Sequence, residues 1–252
     1  MIIKLTLVNT RESVTELPVS YNHMVQSAIY NSLSGDFAEF LHEQGYRLNN
    51  NNRKFALFTF SKLYGKCEFI KNTKSLQFHN PVELYISSPL EPFISNILQT
   101  FLQKGIRLGK EQLRIEQMQL DHTNVTSEKI IVKTLSPITA YSTMIRPEGT
   151  KYTVYFHPGQ VDFERLLLGN LEKKVRLIHG QDVQLDPTHI QKIGKCYRKI
   201  ITYKKTIIEA YEGIFALNGD QRMLQAALDC GIGPKSSAGL GMVTICSPSE
   251  KE

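Results

Sequence analysis

The chain has 252 residues, 41% of them hydrophobic and 21% charged, which is the composition of a globular protein with one large or two small domains. Thirty Lys and Arg residues outnumber the 24 Asp and Glu residues, and the net charge of +6 favours an anionic partner such as nucleic acid. The four cysteines form no C-x-x-C pair and no apolar run approaches about 18 residues, so the sequence argues against a zinc site, a disulfide-rich secreted fold and a membrane span, and favours a reducing cytoplasm.

The first half of the chain has the apolar pattern of alternating strands and helices. In order, it predicts a strand at 3–7, a helix at 24–33, a short helix at 36–45, strands at 54–61, 67–70, 75–78 and 82–87, a helix at 89–104 and a strand at 112–120. Asp36 with Glu39 is interpreted as a capping box for the short helix, and Gly45 as its C-terminal cap. The apolar phase of the last strand slips between Ile115 and Met118, which predicts a β-bulge.

The second half repeats this order, although no residue-level repeat is visible. It predicts strands at 129–135 and 152–156, a helix at 161–177, strands at 195–203 and 206–217, a helix at 219–229 and a strand at 242–246. The polar stretch 121–127 is the best linker. The sequence therefore predicts an α+β protein of two tandem ferredoxin-like (RRM-like) βαββαβ domains, 1–124 and 125–252, the second with a C-terminal glycine-rich loop.

The glycine-rich loop runs from Gly231 to Gly241. It offers backbone N–H groups, hydroxyls and a cation, the donors that a phosphate chain needs. The candidate RNA-binding residues in it are Gly231, Gly233, Lys235, Ser236, Ser237, Gly239 and Gly241. The loop follows a helix and precedes a strand, so it is neither a Walker nor a Rossmann turn. The alternative interpretation is a long turn into an edge strand.

The stretch 187–208 is rich in basic residues and contains no acidic residue. Tyr197 and Tyr203 interleave with its cations, as base stacking and backbone contacts to RNA require. The candidate RNA-binding residues are Lys195, Arg198, Lys199, Lys204 and Lys205, with Lys192 nearby. A solvated β-hairpin has the same pattern, and the sequence leaves both interpretations open.

His42 and Tyr30 are the candidate catalytic groups. At ~100° per residue, His42 lies ~140° from the centre of the apolar stripe of its short helix, so its ring should face solvent. Tyr30 likewise points away from the apolar side of the helix at 24–33. An exposed His beside an exposed Tyr suits acid–base chemistry on a ribose 2′-hydroxyl, while a lone exposed His is more often an ordinary surface residue. No His pair has metal-ligand spacing, so we expect neither a metal nor a cofactor.

Read together, these segments resemble the CRISPR repeat-processing endoribonucleases of the RAMP superfamily over nearly the whole chain. The strongest match is the glycine-rich loop with the strand that follows it, 231–243. The other matching segments, in the family's order, are 17–22, 26–30, 40–42, 57–61 and 135–138.

The resemblance implies metal-independent cleavage of CRISPR repeat RNA within precursor transcripts. The 2′-hydroxyl would attack the adjacent phosphate and leave a 2′,3′-cyclic phosphate and a 5′-hydroxyl. On the matching positions, His42 would be the general base or acid and Tyr30 would orient or polarise the reacting groups. A lysine often precedes the family's Leu-Phe-Thr run, where this chain has Ala56, and Lys54 on the same predicted strand face is the substitute.

A rival function is a non-catalytic RAMP protein that binds guide RNA within a CRISPR effector complex, since the same loop and hairpin would serve it. His42 at the expected place favours the enzyme. A nucleotide-dependent metabolic enzyme is disfavoured by the absence of a phosphate-binding turn between a strand and a helix. The sequence is also compatible with binding to other CRISPR effector subunits and with a homodimer.

Overall fold

The structure, a computed structural model, describes residues 1–48 and 53–246. The first half contains β1 (Ile2–Asn9), β2 (Val14–Pro18), α1 (Asn22–Asn31), α2 (Gly35–Glu39), β3 (Thr59–Phe60), β4 (Cys67–Ile70), β5 (Ser75–His79), β6 (Val82–Ser87), α3 (Glu91–Lys104), β7 (Ile106–Leu108) and β8 (Glu111–Asp121). The second contains β9 (Lys129–Thr134), β10 (Tyr141–Ile145), β11 (Lys151–Tyr155), α4 (Val161–His179), β12 (His189–Tyr203), β13 (Thr206–Asn218), α5 (Gln221–Cys230) and β14 (Val243–Ile245). None of the described helices is both long and apolar enough to cross a membrane.

The first half folds around a five-stranded antiparallel sheet in the order β3-β6-β1-β8-β7. Its central strand β1 alternates as predicted, with Ile3, Leu5 and Leu7 fully buried. The core also takes in the apolar face of α3, which includes Phe93 and Phe101. Burial of these large apolar side chains is the main stabilising contribution to this half.

The second half folds around a four-stranded antiparallel sheet in the order β12-β13-β9-β14. Helices α4 and α5 supply about half of its buried core. The order β3-β6-β1-β8 in the first sheet corresponds to β12-β13-β9-β14 in the second. In both sheets the second strand along the chain is followed by the third, the first and the fourth. This shared order agrees with the predicted tandem ferredoxin-like arrangement. The domain boundary between 124 and 125 stays a prediction, and residues 247–252 of the second predicted domain lie outside the described residues.

The predicted β-bulge in β8 is confirmed. Thr6 of β1 pairs with Gln117, whereas Leu7 pairs with Ile115, so that Glu116 has no counterpart on β1. Two small sheets were not predicted: β2-β5-β4 as a sheet, and the β10-β11 hairpin. Strands β4, β5 and β11 were predicted, whereas β2 and β10 were not. Strand β10 is largely exposed and β2 buries the polar Thr15 beside Leu17, so neither has the apolar alternation that identifies a strand.

Two local predictions are wrong. The segment 54–61 is a strand only at its end, because Leu57 has φ +51, a left-handed conformation that a strand cannot contain. The capping box at Asp36 does not form, since α2 begins one residue earlier and its cap, Ser34, has no side-chain capping hydrogen bond. The short helix does end at Gly45, after a π-helical turn at Phe40–Gln44.

The glycine-rich loop lies between the two halves. The Asn22 side chain of α1 donates to the carbonyl of Ala238 at 3.1 Å, and the hydroxyl of Thr59 donates to the carbonyl of Leu240 at 3.2 Å. Segments 17–22 and 57–61 are therefore in direct contact with segment 231–243, and all three are segments that carry the family resemblance.

Candidate active site

The π-helical turn after α2 presents His42 to solvent. Its side chain is 76% exposed, as the helical phase predicted, and Nδ1 lies 2.7 Å from Oε1 of Glu43. The hydrogen bond from His42 holds the pKa of the Glu43 carboxyl below its usual value. A His whose ring is held by a carboxylate is a common arrangement for acid–base catalysis. Sequence reasoning overlooked Glu43, although it follows His42 directly.

Tyr30 lies beside His42. The two ring centroids are 6.4 Å apart at 88°, and the Tyr30 ring also contacts Phe58 edge-on at 5.8 Å. The expectation that this tyrosine is exposed is wrong, because its ring packs half-buried against the core of the first half. That burial raises the pKa of Tyr30. At neutral pH its hydroxyl is therefore protonated and acts as a neutral donor or acceptor.

Lys54 reaches the same turn by a route that the sequence did not predict. It does not lie on a strand, yet its Nζ donates to the backbone carbonyl of Glu43 and, at 3.5 Å, to that of His42. Tyr46 and Phe55 pair through two backbone hydrogen bonds of 2.9 Å, which places Lys54 beside the turn. His42, Tyr30 and Lys54 thus come together although they belong to three separate segments.

The four glycines of the predicted RNA-binding set are buried. All of Gly231, Gly233, Gly239 and Gly241 have positive φ. A Cβ on Gly241 would lie 2.0 Å from the carbonyl oxygen of Ile232, and one on Gly239 would lie 2.4 Å from the ring of Phe60. The amide of Gly241 donates to Pro137 at 2.8 Å, and that of Gly239 to Ser236 at 3.0 Å. These glycines allow the backbone to pack closely, and two of their amides are already used within the fold.

A buried cation, Lys174 of α4, holds this loop. Its Nζ donates to the carbonyls of Cys230, Gly231 and Gly233 at 3.1, 2.7 and 3.1 Å. The side chain is 2% exposed, and burial lowers its pKa to about 8. At neutral pH the amine is therefore mostly protonated, and its three N–H donors match the three carbonyls.

The sequence did carry a signal for Lys174 that was not used. Within α4 the buried face includes Phe163, Leu167 and Leu171, and the helical period places Asn170 and Lys174 on that same face. Polar residues on an apolar stripe need buried partners, which local patterns cannot identify.

The half-buried part of the loop, residues 235–237, lines a cleft of about 220 Å³ next to Lys54. Four basic residues and two serines face it: Arg53, Lys54, Lys174, Lys235, Ser236 and Ser237. None of the described residues that line it is acidic. The cleft therefore joins one candidate catalytic residue, Lys54, to four of the predicted RNA-binding residues, in a setting that favours an anion.

The basic stretch forms the long hairpin of β12 and β13. Its cations are less free than the acid-free sequence indicated, because β13 places acids across from them. Arg198 pairs with Glu209 at 2.6 Å and lowers the pKa of that carboxyl, and Lys199 lies 3.4 Å from Glu212. Charges counted along β12 alone do not include the acidic residues of β13 that pair with them.

Lys195, in the middle of β12, and Lys204, directly after it, have aromatic neighbours. Lys195 lies 5.3 Å from the centroid of the Tyr197 ring, and Lys204 lies 5.8 Å from that of Tyr203. Lys204 and Lys205 form the turn of the hairpin and are exposed. They are the better candidates for contact with a polyanion.

The turn end of the hairpin lies close to the candidate site. The Tyr203 hydroxyl donates to the Gln26 side chain of α1, which itself donates to the carbonyl of Ser237 at 2.7 Å. All three predicted regions, namely the helix that ends near Tyr30, the glycine-rich loop and the basic hairpin, therefore meet. Among the described residues, no three His, Cys, Asp or Glu side chains are placed to hold a metal ion.

Known proteins match both halves of the chain. The family model described as CRISPR associated protein Cas6, C-terminal, matches residues 115–245, more than half of the chain, and the model for the Cas6 N-terminal region matches residues 16–119. The CRISPR-associated endoribonuclease Cas6 1 of Methanocaldococcus jannaschii is 28% identical over 237 residues, which are 92% of this chain and 88% of that protein.

Solved structures share the fold along nearly the whole chain. A CRISPR associated protein Cas6 is 25% identical with a TM-score of 0.78, covering 98% of this chain and 99% of the other. The product of a Cas6-related gene from Pyrococcus furiosus has a TM-score of 0.83 at 20% identity, over 98% and 99% of the two chains. A RAMP protein that binds different RNA substrates has a TM-score of 0.81 at 19% identity, over 98% and 100%. The last two show likeness of fold alone. Since family models match in both halves and the fold is shared from end to end, this chain belongs to the CRISPR-associated Cas6 family.

Proposed function

We propose that this chain is a metal-independent endoribonuclease that cleaves CRISPR repeat RNA in precursor transcripts into guide RNAs. The observation that carries the proposal is the meeting of His42, Tyr30 and Lys54, of which Lys54 also lines the basic cleft formed with the glycine-rich loop. Family membership and the name of the Methanocaldococcus relative support the substrate class.

In the proposed reaction, the ribose 2′-oxygen attacks the adjacent phosphorus and the bond from phosphorus to the 5′-oxygen breaks. The proton of the 2′-hydroxyl passes to a base and another proton passes to the leaving 5′-oxygen, so the products are a 2′,3′-cyclic phosphate and a 5′-hydroxyl. His42 performs one of these transfers, and Glu43, 2.7 Å away, orients its imidazole. The Tyr30 ring packs against His42 and limits the motion of the imidazole.

Charge stabilisation comes from the basic residues of the cleft. Negative charge develops on the phosphate oxygens during the attack, and fixed cations stabilise it. Lys54 lies beside the turn of His42, and Lys235 belongs to the half-buried part of the loop. Ser236 and Ser237 contribute hydroxyl donors, whereas the buried glycines shape the loop. Because protein cations supply this stabilisation, we expect cleavage to persist in excess EDTA on a short unstructured RNA.

The direct test is cleavage of the repeat transcript by His42→Ala, with both fragment ends mapped. A general acid or base typically contributes ~10²–10⁴-fold to the rate, so the variant should lose cleavage by that factor and keep its RNA affinity. The matched control is His122→Ala, since His122 is exposed in the predicted linker. Wild-type cleavage by His42→Ala would reject His42 as the catalyst. RNA binding by the wild-type protein with no cleavage would favour the non-catalytic subunit instead.

Association with other effector subunits, a homodimer and a cytoplasmic location stay predictions. Size measurement with and without repeat RNA tests the homodimer.

A further inference from the structure

The cleft contains a buried side chain with unused hydrogen-bonding groups. Asn170 of α4 lines the cleft and is 4% exposed. Neither its Nδ2 donor nor its Oδ1 acceptor has a hydrogen-bond partner among the described residues. A buried amide without partners costs about 1–3 kcal/mol of stability, so natural proteins seldom keep one unless a ligand or an ordered water provides the partner.

The other polar groups of the cleft fix the charge of that ligand. Lys174 gives all three of its N–H donors to the carbonyls of Cys230, Gly231 and Gly233, so it contributes charge without a direct bond. The side chains of Lys54 and Lys235 also line the cleft, and no acidic residue among the described ones faces it. The site therefore selects an anion.

The Asn170 amide further restricts which anionic ligands fit the cleft. Phosphate oxygens only accept hydrogen bonds at neutral pH in a diester, so a phosphate alone leaves Oδ1 of Asn170 without a donor. A ribose 2′-hydroxyl both donates and accepts, and it distinguishes RNA from DNA. The cleft of about 220 Å³ is smaller than the ~300–1,000 Å³ of pockets that enclose a drug-sized ligand, which suits a sugar–phosphate unit better than a whole enclosed nucleotide.

We propose that this cleft binds one ribose–phosphate unit of the RNA substrate and that Asn170 recognises its 2′-hydroxyl. The inference rests on the proposed function, because it names how the same site identifies RNA. Asn170 donates from Nδ2 to an oxygen of the unit and accepts the hydroxyl proton at Oδ1, while Lys54 and Lys235 contact the phosphate.

The test is a scan of repeat RNAs that each carry a single 2′-deoxy nucleotide. Equilibrium binding is measured in a His42→Ala background, with gels to verify that the RNA stays intact. At one position, loss of the hydroxyl should weaken binding about 3- to 10-fold, as expected for a hydrogen bond in a buried site. In the His42→Ala, Asn170→Ala double variant the unmodified RNA should bind more weakly by a similar factor, and the penalty at that position should vanish. The control Asn124→Ala, in the exposed linker, should keep the penalty.

A second variant guards against misfolding. Asn170→Leu replaces the unpartnered amide by an apolar group of similar size, so it should raise the melting temperature while it weakens RNA binding. A lower melting temperature with unchanged affinity would show that the amide has a structural role and would overturn the proposal. If unmodified RNA binds tightly and the deoxy penalties do not depend on Asn170, this inference alone fails. If the protein does not bind the RNA at all, the proposed function fails with it.

Discussion

Replacement of Lys174 by Met tests whether this buried cation holds the glycine-rich loop. Three hydrogen bonds from a charged donor contribute about 1.5–3 kcal/mol each. Burial of the charge opposes them, because desolvation lowers the pKa of Lys174 to about 8. Lys174→Met would leave the carbonyls of Cys230, Gly231 and Gly233 without this donor, and a buried group that loses its partner costs about 1–3 kcal/mol. At about 2–4 °C per kcal/mol for a chain of this size, Lys174→Met should lower the melting temperature clearly.

The assay is thermal unfolding at pH 7, with Lys173→Met on the neighbouring position of α4 as the matched control. The pKa of Lys174 is lower in the folded chain than in the unfolded chain. Between about pH 8 and 10.5 the amine is therefore mostly neutral in the folded chain and mostly protonated in the unfolded chain. Wild-type stability relative to Lys174→Met should therefore increase as the pH rises through that window and decrease as it falls back. A Lys174→Met melting temperature equal to that of wild type at pH 7 would refute the role of the ammonium in holding the loop.

Three further predictions separate the roles of the site. Gly241→Ala should lower the melting temperature and leave the RNA affinity of the folded fraction unchanged, because its Cβ would lie 2.0 Å from a backbone carbonyl oxygen; a loss of affinity at normal stability would instead assign phosphate binding to the loop amides. Lys204→Gln with Lys205→Gln should weaken binding and flatten the slope of log affinity against log salt by ~0.7 per lost contact on single-stranded RNA; an unchanged slope would place the RNA elsewhere. Glu43→Gln should slow cleavage less than His42→Ala does, with affinity unchanged, as single-turnover rates at saturating protein can determine.

The elements that could be predicted are those whose apolar pattern records a core. Helices α3 and α4 each place a regular apolar stripe on a sheet, and β1 alternates along its length, so their existence follows from period alone. The bulge in β8 was also readable, because an extra residue shifts the apolar phase. The two small sheets were not, because their strands β2 and β10 have no apolar alternation: β2 buries the polar Thr15, and β10 is largely exposed.

The sequence identified the segments that form the candidate site, but it did not predict how those segments are arranged in space. The sequence placed His42 toward solvent, yet it could not reveal that the pairing of Phe55 with Tyr46 brings Lys54 to this turn. It likewise could not reveal that Arg198 faces an acid of the next strand. In each case the partner is set by tertiary packing, and no local period records it.

Different residues of the glycine-rich loop have different roles: some stabilise the fold, and others line the basic cleft. At its ends, Gly231 and Gly241 lie where a Cβ would meet backbone, and Lys174 fixes the carbonyls of the first turn. At its centre, residues 235–237 line the basic cleft beside Lys54. The buried ends therefore hold the half-buried centre at the interface of the two halves, where the segment carrying Lys54 also arrives. An abundance of glycine in this loop is thus explained first by close packing, and the proposed contacts to RNA are assigned to its side chains.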